Sequence, residues 1–430
     1  MILRDPVHGL VSFESDEERI IERLIDTPEV QRLRRIRQLG VTSYAFPGAE
    51  HTRFSHAIGA AFVMKRLLAR LRQIEVELPV AQRITSECAR DALAAALLHD
   101  VGHGPLSHLF EDAIPGGVHH EAWTARVVSD PCTGVHAILA AYDPQMPARV
   151  ADLVHGKHPL PFLAKAVSGA FDVDRCDYLL RDAHATGVRY GNYDLDWLLR
   201  SLRFTPSPNG EPPSLAIDGA KGLPAIEAFM LARLFMFQQV YLHKATRSTE
   251  WMIRTILRYA SKLIASGEAL PNVPRAIECA ARGQEVQLLD YLELDDGVLW
   301  GMLHAWESHP NRTLADLCGR VRKRSLFKTI ELFGESASEG GRHGAHARAR
   351  EIAVSRGFDA DLYVGLDLAT VTPFADEGDE PLLVVYQKGP ARPLHEVSFL
   401  LGRLRDQLLT RARLVVTPEI REEVVRAVGL

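Results

Sequence analysis

Apolar residues recur at three- and four-residue intervals through residues 1–265, a pattern that predicts helices. Between Ser55 and Leu71 the residues Ile58, Phe62, Leu67 and Leu71 fall at helical spacing. Ser86 to His99 is rich in Ala and Leu, which predicts a buried helix. Thr27-Pro28 offers an N-cap followed by proline at the first helical position. Further helices are expected near His120 to Val128, Val173 to Thr186 and Leu223 to Ile264, the last long enough to bend or break. One hairpin interrupts them: Ser201 to Thr205 and Ser214 to Ile217 flank a Pro-rich turn with Asn209-Gly210. After Gly267 come helices near Pro274 to Ala281 and Asp295 to Ser308, then a β-like run at Leu326 to Phe333. Residues 334–347 read as a Gly/His/Ser-rich loop, and Leu362 to Leu366, Pro381 to Tyr386 and Arg413 to Val416 as strands. The expectation is a mainly α protein: a helical core over residues 1–265 with a β-hairpin insertion, and a smaller α+β appendage within 266–430.

Composition narrows the class. Hydrophobic residues make up 47% and charged residues 24% of the 430-residue chain, ordinary for a globular protein with a sizeable core. Cys88, Cys132, Cys176, Cys279 and Cys318 stand far apart, with no CxxC pair. Neither a zinc knuckle nor a disulfide framework is expected, and a reducing cytoplasm is the simplest home. No apolar stretch approaches the ~20 residues of a membrane span, and Met1 to Pro6 lacks the apolar core of a signal peptide. A formal net charge of -5 argues against bulk attraction to nucleic acid. Arg32, Arg34, Arg35 and Arg37 form one local basic cluster, and Arg320, Arg322, Lys323, Arg324 and Lys328 another. The second reads as a solvated face before it reads as a polyanion site.

Against that background the candidate chemistry is specific. The buried helix ends abruptly in His99-Asp100, followed by Val101-Gly102-His103-Gly104-Pro105 and Ser107-His108. Imidazole and carboxylate together suit a divalent cation of intermediate hardness such as Mn, Fe or Zn. His56 on the preceding helix and Asp174 on a later one complete four candidate ligands, leaving coordination positions open for chemistry. His103, His108 and the run His119-His120-Glu121 add uncoordinated histidines and a carboxylate, the groups that phosphate-ester hydrolysis asks for. Asp174, Tyr178, Arg181 and Asp182 share one helix face, with Arg175 adjacent. Arg233, Phe237, Tyr241 and Lys244 share another, as suited to phosphate and sugar contacts as to helix packing.

The blocks Asp5-Pro6-Val7-His8-Gly9, Gln31 to Gly40, Phe46-Pro47-Gly48-Ala49, His51 to His56, His99 to His108 and Asp172-Val173-Asp174-Arg175 carry a family resemblance. Over residues 1–260 the chain resembles the HD-domain dNTP triphosphohydrolases, both bacterial enzymes and the HD core of the animal SAM-plus-HD-domain enzyme, with no SAM domain preceding it. The C-terminal third is only loosely similar. The resemblance implies an HD-domain fold and hydrolysis of a deoxynucleoside triphosphate to deoxynucleoside and inorganic triphosphate, by metal-activated water attacking the α-phosphorus. It implies His56, His99, Asp100 and Asp174 as metal ligands, with Mn or Fe favoured over Mg, Ni or Zn. His103, His108, His120 and Glu121 would form the catalytic group, and Arg53, Arg175, Tyr178 and Arg233 would hold the phosphate chain. The family has Lys where this chain has Arg175, which keeps the charge but changes its geometry. Gln38 and Asp182 would bond the sugar 3′ hydroxyl, while Leu39 and Tyr241 would crowd its 2′ carbon. Asp26, Gln31 and Arg34 match half of an activator-nucleotide site; Met1, Arg4, Leu10 and Trp197 depart from the other half. A homo-oligomer, dimer or tetramer, is implied, with residues 266–430 in an oligomerisation or regulatory role.

Two alternatives stand beside this reading. One is an HD-domain hydrolase of another nucleotide, a monophosphate or an alarmone. The other is a nucleotide- or nucleic-acid-binding protein without turnover, for which the Arg320 to Lys328 stretch is the supporting feature.

Overall fold

The chain opens on an antiparallel hairpin, β1 (Ile2–Asp5) and β2 (Gly9–Ser12), paired from Ile2↔Ser12 to Asp5↔Gly9. Four residues per strand are too few for alternation to reveal it, and the sequence pattern missed it. Asp5 closes its turn: Oδ1 accepts the backbone N–H groups of Val7 and His8, each at 2.9 Å. Gly9 follows at φ 74°, where a side chain is disfavoured. The computed structural model describes residues 1–114, 117–169, 171–205, 213–372, 381–405 and 407–429, the side chains of Glu77 and His108 excepted.

Helices carry the core. α1 (Arg53–Ile74) and α2 (Ser86–Leu98) are buried along most of their length, and Thr85 caps α2 by accepting from Cys88 N. Short α3 (His108–Ala113) and α4 (His120–Ser129) follow. α5 (Val173–Thr186) starts on Asp172, whose side chain accepts from Arg175 N, and stops at Gly187 in the left-handed region. The long segment expected after Leu223 does break. α6 (Leu223–Met236) runs into a π-helical turn at Phe237–Tyr241, and α7 (Lys244–Ala265) restarts on a new axis. α8 (Asp296–Trp306) packs back onto the same core, which draws on residues either side of 265, from Val11 to Trp306, Val384 and Val415. No helix among the described residues is long and apolar enough to cross a membrane.

α1 and α5 pack closely at Gly59. A Cβ there would overlap Asp177 Oδ1 and Arg181 Nη2, a buried ion pair with no room to retreat. Gly59→Ala is expected to destabilise the fold by about 1–3 kcal/mol through overpacking. The check is a lower urea midpoint at unchanged m-value; an unchanged midpoint would mean that the ion pair can shift.

The expected hairpin forms as β3 (Leu202–Phe204) against β4 (Leu215–Asp218), with its Asn209-Gly210 turn outside the described residues. Further strands are β5 (Lys328–Glu331), β6 (Val364–Val371), β7 (Leu383–Val385), β8 (Arg392–Pro393) and β9 (Leu409–Val416). β7 pairs in parallel with β4, so the hairpin becomes half of a four-stranded sheet ordered β3-β4-β7-β8. The other C-terminal strands form an antiparallel sheet, β5-β9-β6, over a small separate core.

One expectation is corrected. Residues 334–347 are not a loop: after a 3₁₀ turn, α9 (Glu339–Ser355) begins there, capped by Ser338. Its buried face is Ala345, Ala349 and Ala353, too weakly apolar to show as a hydrophobic period, and it packs on β6 and β9.

Candidate metal centre and its surroundings

Three helix ends bring four side chains to one point. His56 stands in the first turn of α1, His99-Asp100 directly after α2, and Asp174 in the first turn of α5. His56 Nε2 lies 3.0 Å from Asp174 Oδ1 and 3.2 Å from His99 Nε2, and His99 Nε2 lies 3.5 Å from Asp174 Oδ1. Asp100 places Oδ1 3.5 Å from His99 Nε2 and Oδ2 3.8 Å from His56 Nε2. Donors about 2.1 Å from one cation at angles of 90–110° stand ~3.0–3.4 Å apart, so His56, His99 and Asp174 fit a single divalent ion, with Asp100 beside them. Asp100 with His103 and His120 makes a second group of possible ligands on its other side.

The imidazoles are oriented as ligands need to be. His56 Nδ1 donates to Asp177 Oδ2 at 2.8 Å, and His99 Nδ1 donates to the carbonyl of Ala96 at 2.9 Å. Both rings therefore turn Nε2 toward the shared point. Burial opposes charge on His56, but Asp174 and Asp177 outweigh it and raise its pKa to about 10. His99 is raised too, its burial outweighed by Asp100 and Asp174. Binding a cation at Nε2 requires that nitrogen to be unprotonated.

The sign follows. The folded pKa of His56 is raised, so its contribution to the stability of the metal-free chain is complete below pH ~6.5. That contribution is lost as pH rises toward 10. A cation must displace the proton, so Mn²⁺ binding at pH 7.5 is expected to release about one proton per ion and to tighten about tenfold per pH unit. Calorimetric titration in buffers of differing ionisation enthalpy reads this directly; a buffer-independent enthalpy would contradict it.

Beside the cluster, His103 and His120 stack with ring centroids 3.7 Å apart. His103 Nε2 reaches Asp100 Oδ1 at 3.2 Å, and burial together with Arg53 lowers its pKa to about 4, so it is neutral at pH 7. The carboxylate at His120 is Glu111 on α3, 3.2 Å from Nδ1, whereas the expected Glu121 is exposed on α4. Glu111 lies nine residues upstream on a separate helix, a separation no spacing rule could flag. His108 opens α3, and its side chain lies outside those described. Arg53 is buried, paired with Asp100, and donates from Nε and Nη2 to Ser107 Oγ at 2.9 and 2.7 Å. Ser107 and Leu106 hold positive φ angles of 59° and 53°, strained for residues with a Cβ. Asp296, from beyond residue 265, holds that loop by accepting from Leu106 N at 2.9 Å and from Arg37 N at 3.0 Å.

Two turns along α5 from Asp174, Asp182 accepts from Tyr241 Oη and from His51 Nε2, both at 2.7 Å. Burial and Asp182 push the Tyr241 hydroxyl well above its ordinary pKa, so it stays a donor. Gln38 sits beside this group through its backbone N–H to His51 O at 3.0 Å. Its Oε1 is buried without a partner among the described residues. Leu39 is half-buried against the core. Tyr178 lies between His56 and Tyr241, with centroids 6.5 and 6.4 Å away. Arg175 bends back to Asp172 at 2.8 Å and to the carbonyl of Gly169, and Arg233 lies over the Phe237 ring. The activator candidates share the α1 N-terminal surface. Gln31 Oε1 accepts from Arg34 Nε at 2.8 Å, Arg34 stacks on Phe54, and Asp26 is exposed at the end of the preceding helix. Asp177, His51, Glu111 and Asp296 were all missed from sequence.

Comparison with known proteins follows this geometry. The HD domain pattern matches residues 53–182, the span from Arg53 to Asp182. The uncharacterized protein YwfO of Bacillus subtilis is 31% identical over 419 residues, covering 96% of this chain and 91% of its own. Deoxynucleoside triphosphate triphosphohydrolase SAMHD1 of Bos taurus is 31% identical over 363 residues, 76% of this chain, which spans only 58% of that relative's length. A phosphohydrolase crystal structure from Bacteroides thetaiotaomicron superposes with a TM-score of 0.80 at 28% identity, covering 97% of this chain and 99% of its own. With its four candidate ligands inside the matched span and similarity running nearly end to end, the chain belongs to the HD-domain phosphohydrolase family.

Proposed function

We propose that this phosphohydrolase acts on deoxynucleoside triphosphates, releasing deoxynucleoside and inorganic triphosphate by attack at the α-phosphorus. One observation carries the reading: a single face of α5 presents Asp174 to the cation seat and Asp182 to a hydroxyl-binding group, two turns or about 12 Å apart. A divalent cation in that seat, with Mn or Fe best matched to two imidazoles and two carboxylates, supplies Lewis-acid polarisation at the phosphate and acidifies water. Neutral His103 can accept a hydrogen bond or proton beside the α-phosphate, and His120, steadied by Glu111, can donate one to the departing 5′ oxygen. Asp182 and Gln38 Oε1 are the acceptors for a sugar 3′ hydroxyl, and Tyr241 and Leu39 are the wall that disfavours a 2′ hydroxyl. The name of the bovine relative states the same activity.

The basic stretch behind the nucleic-acid alternative is partly paired: Arg320 with Asp316 and Glu419, and Arg322 and Lys323 with Glu307. Incubating the protein with Mn²⁺ and parallel panels of dNTPs and NTPs, with ion-exchange analysis of the phosphate products, tests the proposal. Tripolyphosphate from dNTPs is the expected result. Orthophosphate or pyrophosphate as product, or equal turnover of NTPs, would overturn it.

A further inference from the structure

The motif Asp5-Pro6-Val7-His8-Gly9 takes no part in the site as built so far, yet its turn reaches the site from behind. We propose that His8 is a positioning residue of the metal centre, holding Asp177 so that the His56 ring keeps Nε2 facing the cation seat.

All three side chains are sealed from solvent, with exposures of 3% for His8 and 0% for Asp177 and His56. Asp177 accepts on both oxygens. Oδ1 takes His8 Nε2–H at 2.6 Å and Arg181 Nη2–H at 2.9 Å. Oδ2 takes His56 Nδ1–H and Arg181 Nε–H, both at 2.8 Å. A carboxylate has about four lone-pair positions, and here each has a donor. Because an ionised carboxylate only accepts, both imidazoles must present N–H to it, which fixes the tautomer of each.

The turn grips α5 at two points. Besides His8 on Asp177, Asp5 Oδ2 accepts from Arg181 Nη1 at 2.8 Å, while Asp5 Oδ1 shapes the turn that aims His8 inward. The His8 ring also packs against Phe62 on α1, with centroids 5.6 Å apart. Remove the His8 donor and Asp177 Oδ1 keeps only Arg181. The two-point pairing with Arg181 remains, but one of the four donors that hold the carboxylate is gone, so the hydrogen bond that orients His56 is held less firmly.

The inference rests on His56 being a metal ligand, so the test measures metal binding by the full chain and not turnover. Mn²⁺ affinity by chelator competition, together with the melting temperature of the metal-free protein, is compared for wild type, His8→Leu, His8→Gln and His8→Asn. A direct partner of a metal-bound histidine is worth about 10–100-fold in affinity, and His8→Leu, one bond further out, is expected to weaken Mn²⁺ by about tenfold, the low end of that range. The His8→Gln amide nitrogen reaches the position of Nε2, so this variant is expected to bind within about threefold of wild type. Wild-type affinity in folded His8→Leu, or Gln no better than Leu, would overturn the proposal. Should His8→Leu fail to fold, the two amides decide: Asn, one methylene shorter, must bind more weakly than Gln, and equal affinities refute the inference. A wild-type chain that bound no Mn²⁺ would overturn the metal centre itself, and this proposal with it.

Discussion

His99→Ala is expected to yield a folded protein that holds no divalent cation after dialysis and turns over no dNTP. The loss should exceed the ~10–100-fold that an outer partner of a metal ligand is worth. His99 Nε2 is the donor that stands within 3.5 Å of His56, Asp174 and Asp100 alike, so its removal opens the cluster at its centre. It also leaves two acidic side chains around a basic imidazole. Asp174 and Asp177 favour the proton on the surviving His56 as in wild type, and with one imidazole fewer the cation has less binding energy to displace it. Asp174→Ala should give the same two losses by removing the charge instead of the imidazole. Elemental analysis after dialysis and dNTP turnover with added Mn²⁺ check both variants, with circular dichroism confirming the fold. Wild-type turnover in either variant would end the metal assignment.

His120→Ala separates chemistry from metal binding. It is expected to retain the cation, because the His56, His99 and Asp174 donors are untouched, while turnover falls by about 10²–10⁴-fold, the range for loss of a general acid. The argument turns on the stacked histidine pair. His103 is held neutral by burial and by Arg53, down to about pH 4, so it carries no proton to give as an acid at pH 7. Glu111 lies 3.2 Å from His120 Nδ1 and orients that ring, which makes its other nitrogen the proposed donor to the leaving oxygen. Steady-state rates and metal content measured on the same preparation decide the point. Full activity, or loss of the cation along with activity, would move His120 out of the acid role.

Much of the site was legible because its chemistry is local. His99 and Asp100 adjoin at a helix end, and Asp174 opens a helix whose N-cap, Asp172, is visible in the sequence. What escaped were partners set by packing between distant segments. Glu121 was the natural carboxylate for His120 by adjacency; it is exposed on α4, and Glu111 from another helix is the carboxylate 3.2 Å from His120 Nδ1. Asp177 was not named on the face drawn through Asp174, Tyr178, Arg181 and Asp182, although it stands four residues before Arg181 and pairs with it. It lies on the side of α5 turned toward α1, where Gly59 makes room. In the C-terminal third, α9 buries only alanines and so left no hydrophobic period to read.

By itself, then, the order of residues determined that the chain is mainly helical, where several of its longer helices lie, and which four side chains are candidate ligands. These follow from caps, periodicity and residue type, all encoded within a turn or two of chain. Only the tertiary structure decided that His56 lies within 4 Å of His99, Asp100 and Asp174, that Asp177 and His8 stand behind His56, and that Asp296 ties down the Leu106–Ser107 loop. Such contacts join residues 43 to 190 positions apart, and helix packing, not any local rule, brings them together.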